Sequence, residues 1–185
     1  MLTDFTTLLT SRYSGRRFDP DKPVPHALVR SILEAGQLAP SCYNEQPWRY
    51  IVCDRARDPQ AYDALLGGLV PQNQVWAKDA PVLMLAAATD LFTKTHKPNR
   101  WGVYDTGAAS LAMDLQAVAI GLMMHQMGGF DGAALTQAFG LPPHALPMAV
   151  IALGYDLDAG KPRPPRVRYP LGHNFYAGAW GKAFE

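Results

Sequence analysis

Two arginine groups in this sequence are spaced for chemistry on an anion. In Ser11-Arg12-Tyr13-Ser14-Gly15-Arg16-Arg17-Phe18, three arginines lie within one turn of a serine. The planar guanidinium fork matches phosphate oxygens, and Ser14 with a backbone amide would complete the site. The second group is Arg163, Arg166 and Arg168. Spacing by two in extended chain puts Arg166 and Arg168 on one side. If both groups face one phosphate, each charge-assisted bond contributes about 1.5–3 kcal/mol. The competing reading is a solvated basic surface.

A different chemistry is written in Ala39-Pro40-Ser41-Cys42-Tyr43-Asn44-Glu45-Gln46-Pro47-Trp48. Pro40 and Pro47 bracket a hydroxyl, a thiol, two amides, a carboxylate and an aromatic ring, with no glycine among them. So many directed groups suit a pocket that reads a flat heteroaromatic ligand. A proline-stiffened turn whose Ser41 and Asn44 bond their own backbone is the alternative. Gly128-Gly129 is the one place where bare backbone can approach a ligand closely, or else a plain turn. No G-x-G-x-x-G follows a strand and no G-x-x-x-x-G-K-[ST] occurs, so a nucleotide would be held by side chains. His26, His96, His125, His144 and His173 show no metal-ligand pairing, and no metal is expected. Of these, only His125, just before the diglycine, is placed to see the pocket.

The elements that must position these groups follow from periodicity. A short helix is expected over about residues 4–10, capped by Thr3 or Asp4. Pro25 suits the first position of a helix that carries Leu28, Ile32 and Leu38 on its stripe and ends at Pro40. Strands are expected at 48–53, 81–88, 122–127 and 148–155, and helices at 59–70 and 132–139. Residues 93–101 form a basic exposed loop. Next comes a long helix with Val103, Leu111, Leu115, Val118 and Leu122 on one stripe and alanines over much of the rest. Being apolar nearly all round, it belongs in the core or against a second subunit. From Asp156 onward prolines prevent regular structure. Phe175, Tyr176, Trp180 and Phe184 nevertheless argue against disorder, and mark an arm lying on a surface, of this chain or a partner's. The fold expected is an α+β sandwich.

Composition narrows the classes. At 185 residues, the chain fits one domain that can bury roughly 70% of its unfolded surface. A net charge of +1 argues against nucleic-acid binding by bulk electrostatics. The charged fraction of 18% leaves much apolar surface to cover, which favours an oligomer. Cys42 and Cys53, in no metal-ligand or redox-pair spacing, suit a reducing cytoplasm. No signal peptide is expected, since residues 1–9 include Asp4 and lack an adequate apolar core. Nor is a membrane span, since Asp105, Asp114 and Gln116 interrupt the longest apolar stretch.

Taken in order, these pieces resemble the nitroreductase family of FMN-dependent NAD(P)H oxidoreductases, over about residues 5–171. Arg12-Tyr13-Ser14-Gly15-Arg16 is similar to the family's phosphate-binding signature, and Arg166-Val167-Arg168 to the basic pair that returns to it. Pro40, Ser41, Cys42, Asn44 and Gln46 lie in what resembles the flavin-ring loop, usually contributed by the other subunit. Asn73 stands where the family places an amide near the flavin. Asp105-Thr106-Gly107-Ala108-Ala109 opens what would be the dimer-core helix, and Gly128-Gly129 resembles the backbone segment beside the ring's central nitrogen. The resemblance implies a three-layer sandwich with a mainly antiparallel sheet and an extended C-terminal arm. It also implies a homodimer with FMN at the subunit interface, NADH or NADPH as donor, and a small-molecule acceptor such as a nitroaromatic or quinone, reduced by a ping-pong mechanism. Other implied readings are a non-catalytic flavin carrier or sensor, and divergent flavin or dehalogenase chemistry. A phosphate-sensing domain without flavin is a further alternative. Two departures stand out. Cys42 replaces a more usual serine, and Gly128 fills a place where some members carry an acidic residue. The latter leaves donor preference open.

Overall fold

The computed structural model describes residues 4–184. Its elements are α1 (Phe5–Ser11), α2 (His26–Gln37), a 3-10 turn (Cys42–Asn44), β1 (Trp48–Asp54), α3 (Pro59–Gly67), α4 (Pro71–Ala77) and β2 (Val82–Thr89). Then follow α5 (Gly102–Ala119), β3 (Met123–Met127), α6 (Gly132–Phe139), β4 (Ala145–Gly154) and α7 (Leu171–Asn174). The strands form one sheet in the order β1-β2-β4-β3, with every neighbouring pair antiparallel.

Both faces of that sheet are apolar because both are covered. Side chains alternate along each strand. Cys53, Leu83, Leu85, Val150 and Ala152 therefore pack toward Tyr62, Leu65, Trp76 and Leu135 of α3, α4 and α6. Val82, Met84, Ile151 and Leu153 pack toward Val29 and Ile32 of α2 and Met113 and Ala117 of α5. The result is the expected α+β sandwich of three layers, with α3, α4 and α6 on one face and α2 and α5 on the other.

Helix starts follow local chemistry. Asp4, Asp58 and Asp131 accept from the amides of Thr7, Ala61 and Ala134 at 3.3, 3.1 and 3.0 Å. Thr3, the other cap considered, lies outside the described residues. Three expectations need correction. Pro25 is the cap of α2 rather than its first residue, with a ψ of 135° that is not helical. The helix expected over 59–70 ends at Gly67, and Pro71 starts α4 instead, its missing amide being one that a first turn leaves unpaired anyway. The last strand begins earlier than expected, at Ala145. Pro147 is tolerated there because it pairs with Ala87 beside a register shift, where a ladder amide can be spared.

The C-terminal segment is mostly irregular, as the prolines require, apart from the single turn α7. It does not bury its aromatics on its own chain: Trp180 is 92% exposed and Phe175 58%. Among the described residues, no helix is long and apolar enough to cross a membrane, and no cluster of His, Cys, Asp or Glu could hold a metal ion.

Candidate functional site

The basic turn leaves α1 and is fixed by groups on three other elements. Arg12 donates to Ser14 Oγ at 3.0 Å and pairs with Asp114 Oδ2 of α5 at 3.4 Å. Asp114 is buried, and desolvation pushes its carboxyl above the ordinary range although Arg12 pulls the other way. Gly15 O accepts from His125 Nδ1 at 2.8 Å, which ties the turn to β3. Burial, aided by the charges of Arg16 and Arg12, pushes His125 below its ordinary value, so the ring stays neutral at neutral pH. The His125 ring lies 4.5 Å from that of Trp76, and the Arg16 guanidinium lies 5.8 Å from the same indole.

Trp76 and Asn73 stand three residues apart on α4, hence on one face. Asn73 Nδ2 donates to Gly129 O at 3.2 Å, and Val70 N donates to the same carbonyl at 3.0 Å. Helix α4 therefore joins the basic turn to the diglycine. Sequence reasoning missed both α4 and the role of Trp76, although Pro71 was a usable helix-start signal.

The second arginine group reaches the turn in a way its spacing did not suggest. Arg166 donates to the carbonyls of Leu9 and Thr10 at 3.1 and 3.3 Å and also to that of Arg12, so it caps the end of α1. Among the described residues Arg168 bonds only the neighbouring Val167 carbonyl, and Arg163 pairs with Asp156 while lying 4.0 Å over the Tyr13 ring. Together with Tyr13, Thr10 and Ser11, these three arginines line a groove of about 340 Å³. Arg17 is turned elsewhere, toward Asp158 at 3.6 Å.

The loop after α2 is strained. Tyr43, Asn44 and Gln46 all adopt left-handed backbone, with φ of 52°, 56° and 51°. Each such residue without glycine's freedom costs on the order of 1 kcal/mol and persists only where its surroundings over-determine it. Several bonds do so. Gln46 N donates to Ser41 Oγ at 3.0 Å, Gln46 Nε2 to Asn44 O at 3.2 Å, and Arg49 to Gln46 O at 2.9 Å. Cys42 N donates to Asp105 Oδ2 of α5 at 3.0 Å. Thr93 N donates to Glu45 Oε1 at 2.7 Å and Thr93 Oγ1 donates to the same oxygen, which holds the Glu45 carboxyl below its ordinary value.

Within one chain the predicted site residues thus fall into three groups, two of them at opposite ends of α5. Arg12, Tyr13, Ser14, Arg16, Arg166 and Arg168 gather at one end of α5. Pro40, Ser41, Cys42, Asn44 and Gln46 gather at the other. Asp114 and Asp105 mark the two ends, nine residues or about 14 Å apart at 1.5 Å per residue. Asn73, Gly128 and Gly129 come together as a third group, joined to the basic turn through α4.

The residues present fit FMN. Arg12, Ser14 and Arg16 form a donor set suited to a phosphate. A Cβ on Gly128 would meet nothing within 4 Å, so its backbone has an open face. A Cβ on Gly129 would lie 2.9 Å from Val70 Cγ2 and 3.0 Å from Asn73 Nδ2, so bare backbone is needed to hold this segment against α4.

Comparison with known proteins finds flavoproteins among the similar structures. An NADH dehydrogenase of Thermus thermophilus is 31% identical over 190 residues, covering 86% of this chain and 90% of its own. A crystal structure of an oxidoreductase containing FMN matches with a TM-score of 0.86 at 28% identity, covering 97% of this chain and 94% of that one. A candidate nitroreductase from Desulfovibrio desulfuricans, in complex with FMN, matches at 0.78 and 28% identity over 97% and 99%. The model of the nitroreductase family matches residues 9–155, which span the basic turn, the strained loop, the long helix and the diglycine, and the chain belongs to that family.

Proposed function

We infer that this NAD(P)H-dependent flavin oxidoreductase holds FMN between two copies of the chain, each acting as one FMN-binding domain. The observation that carries this is the separation of the two half-sites along α5, combined with the outer face of that helix. Tyr104, Gly107 and Leu111 are exposed there in a stripe, Tyr104 at 77%. A two-fold axis near Leu111 would cover the stripe. It would also bring the Asp105 end of one copy to the Asp114 end of the other.

Arg12, Ser14 and Arg16 would meet the phosphate. Arg166 would fasten the returning segment so that Arg168 faces the same anion, and Tyr13 would wall the groove. Asn73 would present its amide, and Gly128 and Gly129 their backbone, to the ring. Pro40, Ser41, Cys42, Asn44 and Gln46 of the partner subunit would close the other side. Bound FMN would supply hydride transfer from NADH or NADPH to an electron-poor acceptor such as a nitroaromatic or quinone, with one site occupied alternately and ping-pong kinetics. No side chain of the chain is asked to act as nucleophile or general base. Its residues hold, orient and shield. With the reaction confined to small molecules, the setting proposed is the cytoplasm.

Anaerobic titration of the purified protein with NADH and then NADPH, alongside a light-scattering mass, tests this. A yellow dimer bleached by one or both donors is expected, and Arg12→Ala with Arg168→Ala should lose most of its flavin. A flavin carrier would stay yellow on titration. A colourless monomer that FMN neither binds nor stabilises would sink the proposal outright.

A further inference from the structure

A cavity of about 960 Å³ lies beside the strained loop, between Tyr43, Asn44 and Glu45 on one side and residues 92–98 on the other. The second wall is a preorganised hairpin. Leu91 bridges Pro98, Phe92 N donates to Lys97 O at 2.9 Å, and His96 N donates to Phe92 O at 2.8 Å. The bonds from Thr93 to Glu45 lock this hairpin to the strained loop. Tyr43 and Phe92 meet edge to face with centroids 6.1 Å apart, which gives the cavity an aromatic side.

Its charge is lopsided. Lys94 and Lys97 line the cavity, and neither forms an ion pair among the described residues. The one carboxylate in the wall, Glu45, already has an oxygen engaged by Thr93. An adjoining cavity of about 390 Å³, which shares Phe92 and Thr93, adds Arg49, His96 and His144 and no carboxylate. The two lysines of the wall outnumber its carboxylate, Glu45, which already feels the charge of Lys94, so a net positive charge remains beside flat aromatic surface and suits a flat molecule bearing a negative charge.

We propose that this cavity is a substrate subsite in which Lys94 and Lys97 take the anionic group of a flat aromatic substrate, a carboxylate or phosphate. The inference rests on the proposed oxidoreductase function, because it needs a ring-side pocket that substrates enter. Two sources share the chemistry: an acidic acceptor and the 2′-phosphate of NADPH.

The test uses flavin-loaded wild type and Lys94→Gln/Lys97→Gln, with 4-nitrobenzoate and 4-nitrobenzyl alcohol as acceptors and NADPH and NADH as donors. The readouts are two ratios of kcat/KM, anionic to neutral acceptor and NADPH to NADH. Two partly screened charges predict a fall of about tenfold in one ratio, and Lys94→Arg/Lys97→Arg should restore it. A fall in the acceptor ratio assigns the subsite to an acidic acceptor; a fall in the donor ratio assigns it to the donor's 2′-phosphate. Both ratios unchanged within twofold would overturn the subsite. Flavin content and bleaching by NADH, read on the same preparations, report separately on the function it rests on.

Discussion

The two ends of α5 are built by opposite means. At the Asp114 end nearly every basic group is tied to an acid or a carbonyl: Arg12 to Asp114, Arg17 and Lys161 to Asp158, Arg163 to Asp156, and Arg166 to the end of α1. At the Asp105 end, residues 40–48 contain no ion pair among the described residues. Their shape comes from three left-handed residues in a loop pinned by hydrogen bonds from Cys42 N to Asp105, from Gln46 N to Ser41 Oγ and from Thr93 to Glu45. One end is arranged by charge and the other by backbone geometry. A phosphate needs the first, because its charge must be matched. A neutral ring edge needs the second, because its hydrogen bonds must be aimed.

If backbone geometry rules the Asp105 end, crowding that backbone should have the largest effect. A Cβ on Gly102 would lie 2.2 Å from Thr89 O, in the segment whose amide donates to Pro47 O at 2.9 Å. No flexible side chain can yield there. Gly102→Ala is expected to destabilise by about 2–3 kcal/mol, lowering Tm by roughly 5–10 °C. Gly67→Ala is the control, since a Cβ there meets nothing within 4 Å, and it should leave Tm unchanged or slightly raised. Equal melting of the two variants would break the contrast.

At the charged end, Asp114 bears a stability cost that function explains. Its carboxyl is raised mainly by desolvation. The folded state therefore binds more protons than the unfolded one between the ordinary carboxylate range and the raised value. Stability from this group is present below that window and lost as pH rises through it. Asp114→Asn removes the dependence, so urea melts from about pH 4 to 7 should show wild type losing ground to the variant as pH rises. Meanwhile Arg12 loses its orienting partner. FMN affinity, read by fluorescence titration, should weaken about tenfold, the scale of one misaligned charge-assisted bond. Stability and affinity moving together would contradict the assignment.

This pairing of distant acids with each half-site is what the sequence could not display. Both Asp105 and Asp114 read along the chain only as interruptions of an apolar helix. Their partners, Cys42 and Arg12, are 63 and 102 residues away. By contrast, β1, β2, β3 and α6 were legible because alternation and helical stripes are local. The motif residues were legible because their types are unusual for connectors. Helix α4 was missed although Pro71 marks its start, because its seven residues are too few to show a repeating apolar stripe. The positive φ values of Tyr43 and Gln46 were also hidden, because neither residue type favours left-handed backbone, and the bonds that hold it form only in the folded loop.

The smallest expected effect decides whether that strain is functional. Gln46 has a φ of 51°, and Gln46→Gly would relieve a left-handed cost of on the order of 1 kcal/mol, partly offset by glycine's larger unfolded-state freedom. It would also remove the bond from Nε2 to Asn44 O. If the loop is strained so as to aim its groups, the flavin-free variant should be as stable as wild type, or more stable by less than about 1 kcal/mol. FMN should then leave it several-fold faster, because the loop must be ordered anew at each binding event. If the strain is incidental, Gln46→Gly would release FMN no faster than Gln46→Ala, which loses the same side chain but keeps the left-handed strain, and the Asp105 end would be only a connector held in an awkward shape. Stopped-flow release of FMN from the three proteins separates these outcomes. The release rate is the more telling readout, because a stability change this small is within reach of unfolded-state effects alone.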